Sequence, residues 1–202
     1  MRCLTPLAAL VSLTLALAGC SSMVPLSGGS SLEFISNTTG VVVEPALTMR
    51  VYTSEDANTA DIYLTDLPEL ANPAIAPESL ARATGHLIHI HMFIVPKAGQ
   101  TPIAYTAANT TITHIILADG AMGVYRGAGF LLPKGKPGGT SFGGKMSKAT
   151  LRPISATTGF ADLLNWNEAQ GQINALRDED KARALDGRIA TLLRRPGLAP
   201  VK

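Results

Sequence analysis

The chain of 202 residues has very little sulfur for cross-linking: its two cysteines, Cys3 and Cys20, both lie in the first twenty positions. The remaining residues must hold together by their core alone, and about 180 residues are enough for one such domain. Net charge is also small, +2 with histidine neutral, which gives no electrostatic ground for binding nucleic acid. No internal repeat is visible. The apolar run from Pro6 to Ala18 is too short to cross a bilayer as a permanent helix.

That run comes after a short positive start, Met1-Arg2, and so reads as the core of a signal peptide. It ends in Leu17-Ala18-Gly19-Cys20, which resembles the lipobox of bacterial lipoproteins. The resemblance implies that residues 1–19 are removed and that Cys20 is diacylated on sulfur and usually acylated again on its freed amine. No cysteine of the mature chain would then remain for a disulfide. Each buried methylene contributes about 0.8 kcal/mol, so two or three acyl chains give a firm membrane anchor. Residues 20–31, with Ser21, Ser22 and the stretch Ser27-Gly28-Gly29-Ser30-Ser31, have no apolar period and read as a flexible tether. Ser21 stands where an inner-membrane retention signal would place Asp, which resembles the outer-membrane sorting rule of enteric-like bacteria. The expected address is the cell envelope, lipid-anchored, on the outer membrane.

Residues 32–202 read as one mostly β domain, an antiparallel β-sandwich or jelly-roll-like fold with one C-terminal helix. Period-two alternation marks strands from Leu32 and Phe34, within Val41–Thr53, and over 61–67, 85–95, 110–118, 122–132, 145–154 and 169–176. Asp119-Gly120 between two apolar runs is a hairpin signal. A helix is expected at about 178–195: acidic residues fill its first turn, Arg194 and Arg195 its last, and Pro196-Gly197 stops it. A turn or short helix is expected after Pro77.

Four histidines carry most of the candidate chemistry. On a strand, His89 and His91 project from one face and could share a metal ion, with His114 from a neighbouring strand as a third ligand. The pair resembles the His-x-His of cupins, although Val95-Pro96-Lys97 stands where that family places Glu. Zinc or copper would be the ion; otherwise no cofactor is expected. The competing account makes these histidines ordinary half-exposed strand residues, with Ile88, Ile90 and Met92 facing inward and Leu87, His89 and His91 outward.

Charge is unevenly distributed: residues 20–120 hold nine Asp/Glu against three Lys/Arg, and residues 121–202 hold six against thirteen. Lys134, Lys136, Lys145 and Lys148 fall within a glycine-rich stretch, Pro133–Lys148, that reads as a mobile cationic loop able to touch anionic lipid or polysaccharide. Gly139-Thr140-Ser141-Phe142-Gly143 fits a nucleophile elbow, but that triad needs a later histidine and all four come earlier. Gly139 to Lys145 nearly spells a phosphate loop, and Met146 stands where Ser or Thr is required. Glu55, Asp56, Asn58 and Asp61 read as an acidic turn without EF-hand spacing. With no complete catalytic constellation, the function expected is non-enzymatic: a membrane-anchored module for an envelope protein or glycan.

Overall fold

The computed structural model describes residues 30–76, 80, 82–96 and 107–201. Cys20, the signal segment, most of the tether and residues 77–79 lie outside them. The chain forms β1 (Ser31–Ser36), β2 (Val42–Val43), β3 (Met49–Thr53), β4 (Ala60–Thr65), β5 (Thr84–Met92), β6 (Thr110–Ala118), β7 (Ala121–Lys134), β8 (Ser141–Ala156) and β9 (Asn167–Arg177), then α1 (Glu179–Leu193) and β10 (Ala199–Pro200). The expected fold class, mostly β with one C-terminal helix, is the one found.

Strands β3 to β9 run as an antiparallel meander, each bonded to the next. The free edge of β9 then takes up β1 over residues 167–172 and meets β3, in parallel, at Val51–Leu176 and Tyr52–Arg177. The sheet is thereby rolled shut into a seven-stranded barrel, and the facing layers of the fold are opposite walls of this one sheet. Closure removes most of the bare strand edge that would invite aggregation. Register shifts at Val124/Tyr125, Ala128/Phe130 and Met146/Ala149 bend the two longest strands, β7 and β8, around it. Buried Asn109 pins the second: its Oδ1 accepts from the Leu131 amide at 2.7 Å and its Nδ2 donates to the Leu131 carbonyl at 2.9 Å.

Local chemistry sets the connections. Asp119 and Gly120 take φ of 42° and 94°, the two left-handed residues that a type I′ hairpin needs. The expected loop over Pro133–Lys148 is mostly strand instead: β7 continues to Lys134 and β8 starts at Ser141, so only residues 135–140 turn. Glycine content suggested a loop, but Leu131, Phe142 and Met146 are buried at alternate positions and hold the ladder. A short 3-10 turn at Pro68–Ala71 precedes Pro77.

Alternation divides the apolar side chains between two cores. Phe34, Tyr52, Ile62, Leu64, Ile88, Ile90, Met92, Ile112, Tyr125 and Phe142 fill the barrel. On the outer wall, Val51, Tyr63, Leu87, Ile115 and Val124 are covered by Ala182, Leu185, Ile189 and Leu192 of α1. Asp178 caps that helix, accepting from the Lys181 amide at 3.0 Å.

Arg188 is buried on the same stripe and donates to the carbonyls of Leu70 at 3.5 Å, Asn72 at 3.3 Å and Ile75 at 2.9 Å. It therefore ties the helix to the segment after β4. Arg188→Ala is expected to cost about 2 to 3 kcal/mol, because charge-assisted bonds are lost and buried carbonyls are orphaned. A lower urea midpoint with an unchanged slope would show this; an unchanged midpoint would refute it.

Candidate functional site

The alternation that builds β5 also separates its histidines. His86 lies on the inward face with Ile88, Ile90 and Met92, whereas His89 and His91 lie outward with Leu87. His114, the third ligand expected for a metal, also points inward. Its Nε2 lies 2.9 Å from Nδ1 of His86, inside the barrel. The triplet His89, His91 and His114 is therefore split between opposite faces of the wall, because the register sets His114 against Ile88 and Tyr125.

On the outer face, Asp61 takes the place expected of His114. Its Oδ1 lies 2.7 Å from His89 Nε2 and 2.9 Å from His91 Nδ1. The His89 ring stacks on Tyr63 at 4.7 Å between centroids, and the Tyr63 hydroxyl donates to Asp186 on α1 at 3.3 Å. Burial acts to raise the Asp61 carboxyl, but the bonds from His89 and His91 outweigh it and hold the group below its ordinary value. Burial first, then the charges of Asp186 and Asp61, push the Tyr63 hydroxyl far up. Both imidazoles direct a nitrogen at one carboxylate oxygen, so the donating nitrogens carry protons and the free lone pairs lie across the rings. Among the described residues no group of three or more His, Cys, Asp or Glu side chains is placed to hold a metal ion.

Inside the barrel, His114 is fully buried and stacks on Phe34 at 4.0 Å. Its Nδ1 has no hydrogen-bond partner among the described residues. A tautomer in which Nε2 donates to His86 leaves only an unused lone pair there, the cheaper of the two orphans. Burial, then the charge of His86, holds His114 well below its usual value; burial also lowers His86, partly offset by Asp66. Beside this pair, the Tyr125 hydroxyl donates to Asp162. Burial and that bond push Tyr125 far up. The two inward histidines are thus a hydrogen-bonded, mutually tilted pair whose charged forms burial disfavours.

The four lysines are exposed and make no ion pair among the described residues. Lys134 and Lys145 face outward beside exposed Leu132, Lys136 lies in the turn, and Lys148 occupies the bulge with φ +47°. They line the outer wall of the β7–β8 hairpin rather than a mobile loop. Ser141 opens β8 and the glycines before it form the turn, so the elbow pattern is a hairpin end. Asp56 closes the acidic turn on the amides of Asn58 and Thr59 and leaves Asp61 for the histidines.

Tyr63 and Tyr125 did not stand out in the sequence, and Asp61 and His86 did so only as a member of an acidic turn and as one of four histidines, without the partners that they have here. The signal for His86 was present, two positions before Ile88 on the same face; Asp61 needed the β4–β5 register. A search among known proteins finds no matching family, no matching curated protein and no matching solved structure.

Proposed function

We propose that this protein is a lipid-anchored, non-enzymatic module of the bacterial cell envelope: acyl chains on Cys20 hold it to the outer membrane, and the barrel offers its outer surface to an envelope glycan or protein. The observation that carries the reading is Leu17-Ala18-Gly19-Cys20 at the end of a signal-peptide core. Two features of the fold support it. The barrel reaches a packed core without a disulfide, which suits an exported chain whose one mature cysteine is acylated. Its interior is filled with side chains, leaving recognition to the outer wall, where the exposed cations of β7 and β8 lie. The metal-binding alternative has lost its third histidine, and no observation favours it. No helix among the described residues is long and apolar enough to cross a membrane.

The test is Cys20→Ser in a bacterial host. The parent chain is expected to lose the mass of residues 1–19, gain that of its acyl chains and fractionate with membranes; the variant should retain the signal segment or move to the soluble fraction. Identical mass and fractionation for the two chains would end the reading.

A further inference from the structure

Arg126 and Arg152 stand directly opposite each other on β7 and β8. Both are exposed, and neither forms an ion pair with any described acidic residue. Like charges directly opposed across a ladder destabilise a sheet, so the wall presents two guanidinium groups to one patch of solvent without an anion of its own. Glu168, opposite Thr150, is the acidic residue nearest in register and bonds to neither.

Beside this pair lies Trp166, the single tryptophan of the chain, 55% exposed. Its loop is fixed at several points. The Asp162 carboxylate accepts from the Leu164 and Asn165 amides, Leu164 is buried in the barrel core, and the Asn37 amide donates to the Trp166 carbonyl at 2.8 Å. Arg126, Arg152 and Trp166, with Gly127, Thr150 and Leu151, line a shallow depression of about 240 Å³.

From this juxtaposition we infer that the depression between Trp166 and the Arg126–Arg152 pair binds a carboxylate-bearing sugar of an acidic polysaccharide. The three parts match three features of such a ligand. An indole face takes the apolar C–H face of a pyranose ring. The planar forks of two arginines match a carboxylate bidentately. Gly127 contributes no side chain to the floor, and the Thr150 hydroxyl can bond a ring hydroxyl. An inorganic anion would have no use for the indole, and an apolar ligand none for the arginines. A recess flanked by cations also differs from the protruding apolar surface that inserts into a bilayer. Lys148, Lys145 and Lys134 continue along the same hairpin, so a polymer of acidic sugars can run along the wall from this first subsite. The inference names the ligand class within the proposed envelope role and rests on that reading.

The test uses the full chain carrying Cys20→Ser, with the fluorescence of Trp166 as an intrinsic reporter of this one site. A galacturonic acid oligosaccharide is expected to give a saturable change that weakens with added salt. Arg126→Gln with Arg152→Gln should raise the dissociation constant about tenfold or more, the loss of one or more charge-assisted contacts. The double variant should melt no lower than its parent, since a repulsion is removed. By calorimetry, Trp166→Ala should lose binding and Trp166→Phe retain most of it. An equal response to a neutral oligosaccharide, to inorganic phosphate alone or to phosphatidylglycerol vesicles would overturn the inference, as would unchanged binding in the double arginine variant. The titration needs no acyl chain, so its failure leaves the anchor untouched, and failure of the anchor leaves the titration to be read on its own.

Discussion

Gly171→Ala is expected to lower stability by about 3 kcal/mol or more, combining overpacking with backbone strain, a large share of the roughly 5–15 kcal/mol typical of a domain. Gly171 has φ +143°, and an added Cβ would come within 1.8 Å of the Ser31 carbonyl oxygen. It pairs with Leu32 of β1 on one side and with Met146 of β8 on the other, so β9 cannot retreat from either neighbour. Relief requires β1 to peel away, taking Leu32 and Phe34 out of the barrel core and removing the ring on which His114 stacks. Urea unfolding and near-ultraviolet circular dichroism would report both consequences. A variant with the parent's midpoint would mean that β1 is not held as described.

The second large effect is acid lability above the carboxylate range. His86 and His114 are both held below the ordinary imidazole value of 6.5, chiefly by burial. Below that pH the unfolded chain binds protons that the folded chain refuses, so stability is full above pH 6.5 and falls as pH drops beneath it. Each such proton adds roughly 1.4 kcal/mol per pH unit to the slope. Asp66 acts on His86, and the Tyr125 ring stands beside His114 with its hydroxyl committed to Asp162; Asp66 draws His86 the other way, so His114 is the stronger contributor. Asp61 and Asp178, whose carboxyls are held low, lose their contributions only nearer about pH 4, which separates the two processes. His114→Phe keeps an aromatic ring against Phe34 and should flatten the dependence between roughly pH 6.5 and 4.5. Equal slopes for parent and variant would show that the interior pair does not govern it.

What the sequence made legible is what depends on neighbouring residues. β6 runs over Thr110–Ala118 as alternation indicated, Asp119-Gly120 turns with the two positive φ values that the dipeptide favours, and α1 lies where its caps place it. Closure was not legible, because the β8–β9 and β9–β3 pairings are set by strand curvature and register and leave no local mark. The same limit separated His114 from His89 and His91: periodicity says which residues of one strand share a face, but not which faces of two strands coincide. The Arg126–Arg152 opposition likewise exists only once β7 and β8 are in register. At Pro133–Lys148 composition misled, since glycine there accommodates tight strand contacts. A Cβ at Gly144 would lie 2.1 Å from the Leu132 carbonyl oxygen.

The pairing of β1 with β9 also governs when the molecule can become itself. Ser31 meets Gln172 from the far end of the fold, and a polypeptide emerging amino end first can pair its opening strand only with the two-residue β2 until its last long strand has appeared. Such distant pairings carry a large loop-closure entropy and are slow to form. Completion of the barrel therefore waits until β9 has been made, since β9 supplies the edge that meets both β3 and β8.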